Sequence, residues 1–356
     1  MRRVLIPVML CFMLITSLPG YCQAAETAAP ASLTVDEAVS RALKNSKALE
    51  SIILGVDLAN EDNEDAKGMW SPKWDFEYEK TTPSIETRYS NLLSAEYKYE
   101  TSKMKQDMQR EVVAAKAQKG YYDLLQAIDK VAVSKSSLTA AEKQFNISQA
   151  YYSCGMLSTA AYNQANIQLI QKQADLKAAE NDLNNTYVTF NQLVGLKAQD
   201  RPALIDTPVL KNIEVKNLDS QIALIANEAP TQLISEEGAD LQERLLGFTG
   251  STDKAKIQVD QAELDTAKLK EDTIKGLYAT YFTIMSMEES YQTTLRNVTI
   301  AEDNLRIAKL KFDIGMGTLS DVAAAETSLA QAKNSLLSLI CKHEVLKATF
   351  FKPWTA

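Results

Sequence analysis

"YYSCGMLSTAAY" at residues 151–162 and "FDIGMGTLSDV" at 312–322 are two versions of one phrase. An aromatic residue, Tyr152 or Phe312, stands three positions before a glycine, Gly155 or Gly315. A methionine follows, Met156 or Met316, and then a short polar step that in the second copy begins with Gly317. A glycine loop that cradles phosphate follows a strand and opens a helix. Here the flanks are helical on both sides. Gly155 and Gly315 suit the left-handed residue that ends a helix. Thr318-Leu319-Ser320-Asp321 reads as a capping box with Asp in the acid position, and Ser158 caps the first copy with Ala161 where the acid would stand. Both stretches read as tips of helical hairpins.

Sliding the chain by 160 positions superimposes these phrases and much around them. Glu111 falls on Glu271, Tyr121 on Tyr281, Ala141-Glu142 on Ala301-Glu302, Leu169 on Leu329 and Leu176 on Leu336. Roughly 14 of some 80 positions agree without a gap, the mark of an internal duplication. Val131, Leu138, Phe145 and Tyr152 step by seven, as do Tyr291, Val298, Leu305 and Phe312. Beyond the tips the step continues through Tyr162, Leu169, Leu176 and Leu183, and through Val322, Leu329 and Leu336. A seven-residue apolar repeat lays one stripe along a helix, and that stripe needs another helix to cover it. From about Asp253 to Asp313 the pattern runs for roughly 60 residues, or about 90 Å of helix. A compact chain of this length is roughly 50 Å across. The reading is a mainly α, elongated protein of two antiparallel helical hairpins that self-associates.

The starts of the two halves match at a different offset. Val35-Asp36 corresponds to Leu218-Asp219 and Val39 to Ile222, a slide of 183. The first half therefore holds about 23 extra residues, a count uncertain by a residue or two. Trp74-Asp75-Phe76-Glu77-Tyr78-Glu79 and Ala95-Glu96-Tyr97-Lys98-Tyr99-Glu100 alternate aromatic and charged residues, which predicts a short β-hairpin within 72–100. The competing reading starts the long helix near Ser94. The second half has only Gly247–Thr252 at this place, enough for a tight loop. The expected division is a signal at 1–24, a first repeat at 25–217 with its tip near 153–158, and a second repeat at 218–356 with its tip near 313–318.

Arg2 and Arg3, the apolar run Val4–Leu18 and the small pair Ala24-Ala25 have the three-part form of an export signal. Pro19-Gly20-Tyr21 before Cys22 makes a poor lipobox. The net charge of −8 becomes −10 without the signal arginines, which argues against nucleic-acid binding. His343, the only histidine, falls on the seven-step series and reads as a seam residue; one histidine builds neither a metal cluster nor an obvious triad. No catalytic, cofactor or metal site is expected. Cys154 at the first tip and Cys341 far along the last helix are too distant for an intrachain disulfide.

"LTVDEAVSRALKNSKALES" at 33–51, the twin tips and the duplication resemble the TolC-like outer-membrane efflux proteins. The resemblance implies a homotrimer whose chains each supply four long helical strands to a hollow α-barrel. Its tips, here Tyr152, Gly155, Met156, Phe312, Gly315, Met316 and Gly317, would meet a periplasmic adaptor and an inner-membrane pump of an efflux or type I secretion machine. The place would be the cell envelope, at the outer membrane and periplasm of a two-membrane cell. In the family, acids past the second tip narrow the pore. Asp321 matches one such position and is also the cap residue; Ala324, Gly317, Ala160 and Ala161 stand where other polar gate residues are expected. The chain departs from the family in its strands. Two short strands per chain fall below what a membrane barrel requires, so a complete barrel is not expected. Trp70, Trp74, Phe76, Tyr78, Tyr97 and Tyr99 fit either a membrane interface or a cap of mutually packed rings over the tube. A coiled-coil spacer with no channel is the competing function.

Overall fold

A computed structural model of the chain describes residues 32–70, 85–246 and 253–355. The signal reading at 1–24, the alternating stretch with Trp74, Phe76 and Tyr78, and the loop at 247–252 lie outside the described residues. The first half runs β1 (Ser32–Leu33), α1 (Val35–Asn45), α2 (Lys47–Trp70), α3 (Ile85–Ser153), α4 (Thr159–Val194) and β2 (Ala203–Leu204). The second runs α5 (Leu218–Glu228), α6 (Pro230–Leu246), α7 (Asp253–Asp313) and α8 (Leu319–Phe351), closed by a 3₁₀ turn at Pro353–Thr355.

The element bounds carry the duplication. α1 and α5 each have 11 residues, and both these helices and the starts of α2 and α6 differ by the slide of 183 read from sequence. The ends of α3 and α7 and the starts of α4 and α8 differ by 160. The extra chain of the first half mostly lengthens helices: α2 has 24 residues to the 17 of α6, and α3 has 69 to the 61 of α7. This corrects the strand reading of Ala95–Glu100, which lies inside α3, so Tyr97 and Tyr99 are helical. Leu93 and Thr101 are buried, with half-buried Tyr97 between them at four-residue steps, one face of a helix. Lys98 donates to Asp62 of α2 at 2.6 Å from the flank of that face. Six residues of alternation cannot compete with a face that packs on two other helices.

Contacts place the four long helices in one layer, in the order α4, α3, α8, α7. α2 lies on α3, and α6 on α7 and α3. Two clusters form the core at equivalent levels of the two halves. The Tyr121 and Phe190 rings meet at 6.3 Å, and their sequence twins Tyr281 and Phe350 at 5.9 Å. Edge and tilted contacts of this kind are favoured beyond simple burial. The Tyr121 hydroxyl is the polar hub of the first half. It accepts the Asp206 N–H at 2.9 Å and donates to the Leu33 carbonyl at 3.1 Å. That fastens the parallel β1–β2 pair, Ser32 against Ala203 and Leu33 against Leu204, onto α3. Burial pushes the Tyr121 phenol above its ordinary pKa.

One pair breaks the symmetry. Ile128 and Leu183 pack on the first core, while their twins are Glu288 and His343. His343 is fully buried, its Nε2 3.0 Å from Glu288 Oε1, and that same oxygen accepts the Ile213 N–H at 2.6 Å. The histidine thus sits on the α7–α8 seam, as its place in the seven-step series predicts. Breaking a buried pair from one side strands a polar group, whereas replacing both partners by apolar residues removes the problem. Glu288→Ile or His343→Leu alone should each destabilise by about 3–5 kcal/mol. The double variant, which copies the first half, should recover most of that loss, remaining about 1–3 kcal/mol short because the Ile213 amide loses its acceptor. Thermal and urea unfolding of the three variants measure this.

Candidate functional site

The tips are built from backbone rules. α3 and α7 each run into a glycine with positive φ, +72° at Gly155 and +75° at Gly315. The Gly155 N–H reaches the Tyr152 carbonyl at 3.0 Å and the Met156 N–H that of Tyr151 at 2.9 Å. At the second tip the equivalents are Gly315 to Phe312 at 2.9 Å and Met316 to Lys311 at 2.8 Å. This paired closure satisfies carbonyls a helix end otherwise leaves open.

The returning helices are capped as expected. Ser158 Oγ accepts the Ala161 N–H at 3.2 Å. Thr318 Oγ1 accepts the Asp321 N–H at 3.1 Å, and Asp321 Oδ2 accepts the Thr318 N–H at 2.8 Å, a complete box. The Thr318 backbone and hydroxyl bonds, with Lys311 as a weaker influence, hold the Asp321 carboxyl below its ordinary pKa. Its contribution to the tip is therefore full above the ordinary carboxylate range and is lost as pH falls through the lowered value.

The two tips differ in side chains. Tyr152 stacks on Tyr162 across the first hairpin at 4.7 Å, and Phe145 leans on Tyr162 at 5.6 Å. The twin of Tyr162 is Val322, which is buried. Gly317 is tightly placed: a Cβ there would lie 3.1 Å from Lys311 Cβ and 3.2 Å from the Phe312 nitrogen. Both tips are apolar and open, with Met156, Ile314 and Met316 among the most exposed large apolar side chains of the described residues. Exposed methionines suit adaptable contact surfaces.

Both tips share one end of the molecule, because Ser320 at the start of α8 donates to Gln144 near the end of α3 at 2.8 Å. The aromatic group sits elsewhere. Trp70 faces Tyr89 at 5.2 Å, and Tyr99 carries the Lys103 ammonium at 4.5 Å. Tyr89 is about 95 Å along α3 from the first tip. Cys154 is exposed at that tip, and burial pushes the free Cys341 thiol up to about 12. Cys341 feels the charge of Asp123, about 45 Å along α3 from Cys154, far beyond disulfide reach. Among the described residues no cluster of His, Cys, Asp and Glu has the makings of a metal site.

Sequence reading missed a polar seam between the hairpins. Ser320 with Gln144, Thr327 with Ser136 at 3.2 Å, and Asn334 with Asp129 at 2.9 Å join α8 to α3. Ser320, Thr327, Asn334 and the buried Cys341 also step by seven, so the signal was present in polar residues.

No family model and no curated protein matches the chain. Solved structures do. The outer membrane protein VceC from Vibrio cholerae aligns over 89% of this chain and 94% of its own, with TM-score 0.62 and 14% identity. The CmeC outer membrane channel of Campylobacter jejuni aligns over 89% and 85%, with TM-score 0.66 and 13% identity. The open state of the Neisseria gonorrhoeae MtrE outer membrane channel aligns over 90% and 89%, with TM-score 0.64 and 12% identity. The chain has the fold of the outer-membrane factor channels. The likeness that the sequence suggests for TolC-like proteins is therefore a likeness of fold along nearly the whole chain.

Removing either cap should loosen its own tip and leave the other intact. Thr318→Ala should weaken the first turn of α8 by about 1 kcal/mol, read as roughly fivefold faster amide exchange there. Ser158→Ala should do the same in α4 only.

Proposed function

We propose that the chain is the exit-tube component of an envelope efflux or secretion machine. It acts as a homotrimer whose helical hairpins wall a tunnel, with no covalent chemistry of its own. The two tips dock a periplasmic adaptor and, through it, an inner-membrane pump. The exported chain would work in the cell envelope, as two repeats divided near 217–218 behind a signal at 1–24.

One observation carries this reading: the layer α4–α3–α8–α7 is open, with two unlike edges, in a fold shared with outer membrane channels. A head-to-tail contact between unlike edges closes into a ring when the rotation allows it. The exposed apolar tips support docking, and Asp321, set at the start of α8, supports a ring of carboxylates near the tunnel mouth. The chain between Trp70 and Ile85 is shorter than two spanning strands of about 9–11 residues each. That length supports a tube without a complete membrane barrel. Trp70, Tyr97 and Tyr99, remote from the tips, would then meet the membrane at its interface, together with Trp74, Phe76 and Tyr78.

Electron microscopy of the purified protein should show threefold rings with a central hole. A solid rod would favour the spacer reading. In liposome flotation the protein should rise with the vesicles, and replacing Trp70, Trp74, Phe76 and Tyr78 together by serine should reduce the floated fraction about tenfold. Unchanged flotation would assign these rings to packing over the tube.

A further inference from the structure

The line of the layer that holds α8 is made of two pieces. α6 packs on α3 and α7, the same two helices that flank α8. Along α7, Phe350 of α8 meets Tyr281, and further back Ser235 of α6 meets Thr266, hydroxyl to hydroxyl at 2.7 Å. α6 therefore continues the line of α8 past its end. The first half is built alike, with α4 and α2 both on α3. Each half thus has one break, where a long helix stops and a shorter one takes over.

The two breaks are finished differently. At the first, Asn45 Nδ2 donates to the Gln192 and Leu193 carbonyls at 2.8 and 3.3 Å and seals the end of α4. Phe190 and Leu193 close on Gly120, where a Cβ would lie 3.5 and 3.6 Å from their side chains. At the second break the duplication puts Glu228 in the place of Asn45, and a carboxylate has no proton to give a carbonyl. Leu193 becomes Pro353, Val194 becomes Trp354 and Gly120 becomes Thr280. A cleft of about 420 Å³ remains there, with Thr231, Leu269, Asp272, Leu277, Thr280 and Trp354 in its lining.

One wall of the cleft is held in place. Glu111 of α3 accepts the Lys352 ammonium at 2.8 Å on one carboxylate oxygen and the Trp354 indole N–H at 2.5 Å on the other. Thr231, Asp272 and Thr280 make no hydrogen bond or ion pair with any described residue, and no basic side chain lines the cleft. A space of this size, walled by apolar groups with a few unspent polar ones, suits a small molecule. An ammonium brings donors and no acceptor, and an indole ring attracts it. We propose that the cleft between α6, α7 and the end of α8 binds a small organic cation, an ammonium carried on an aromatic or aliphatic body. Asp272, Thr231 and Thr280 take the charged head. Leu269, Leu277 and Trp354 take the body, with Glu111 as the positioning residue for the indole. The site lies within one chain and goes beyond the tube reading without resting on it.

Saturation-transfer NMR on the purified protein tests this with three probes of similar shape: 2-phenylethylammonium, 2-phenylethanol and 3-phenylpropanoate. The ammonium should bind, the alcohol about fivefold more weakly, and the carboxylate weakest of the three. Asp272→Asn should weaken the ammonium about fivefold, the scale of a partly exposed charge pair. Gly276 is also in the lining, and a Cβ there would meet open space. Gly276→Leu should therefore fold normally, with no loss of unfolding temperature, and remove ammonium binding. No binding of the ammonium, equal binding of the three probes, or undiminished ammonium binding by Gly276→Leu would overturn the site. Each of these results leaves the threefold rings untouched, so the site and the tube fail separately.

Discussion

A helix of 69 residues carries its apolar stripe well beyond the reach of any compact core. The stripe must be covered along its whole length, and only another helix of similar length can do that. Every larger feature follows from this demand. α3 is covered by α4 on one side and α8 on the other, and α7 by α8 alone among the long helices. Stability is then spread along the axis, with the two aromatic clusters at one level and thin seams elsewhere. Within one chain such a layer leaves two edges, at α4 and at α7.

The duplication sets the plan, and its breaks set the individuality. The aromatic pair Tyr121–Phe190 survives as Tyr281–Phe350 with nearly the same geometry. The neighbouring apolar pair does not survive, and Glu288 with His343 instead grips the backbone of Ile213 in the connection between the halves. The tips diverge as well. One carries stacked tyrosines, the other a full capping box and a glycine set close to the end of its helix. Around a closed ring, two kinds of tip would alternate. A partner that reads them meets a pattern with half the rotational order of the backbone.

Much of this was legible in the residues. Gly155, Gly315, Ser158 and Thr318 mark helix ends because local stereochemistry alone decides them, and the bounds of α7 follow from the seven-residue step. The difference of slide between 183 and 160 also reads directly, though not what fills it. Tyr97 and Tyr99 mislead because alternation over six residues measures local order, while the packing of Leu93 and Thr101 on other helices decides the outcome. The β1–β2 pair is invisible because two residues have no period. The polar seam escapes a search for apolar stripes, and Glu288 could not be matched to His343 without knowing how α7 and α8 are aligned. The tips and Asp321 were legible as local geometry; what meets them is a matter of surfaces, which spacing does not encode.

The strand pair at the base of the first half also bears on the order of folding. Leu33 is joined to Leu204 and held by Tyr121, so the first hairpin is sealed by its own two ends. A chain made from its N-terminus possesses every part of that closure once residue 206 has emerged, with about 150 residues still to come. The leading half can therefore settle as a unit and offer the flank of α3 as a template on which the trailing hairpin assembles. The contacts between the halves, α8 and α6 on α3, would then form on a part already closed.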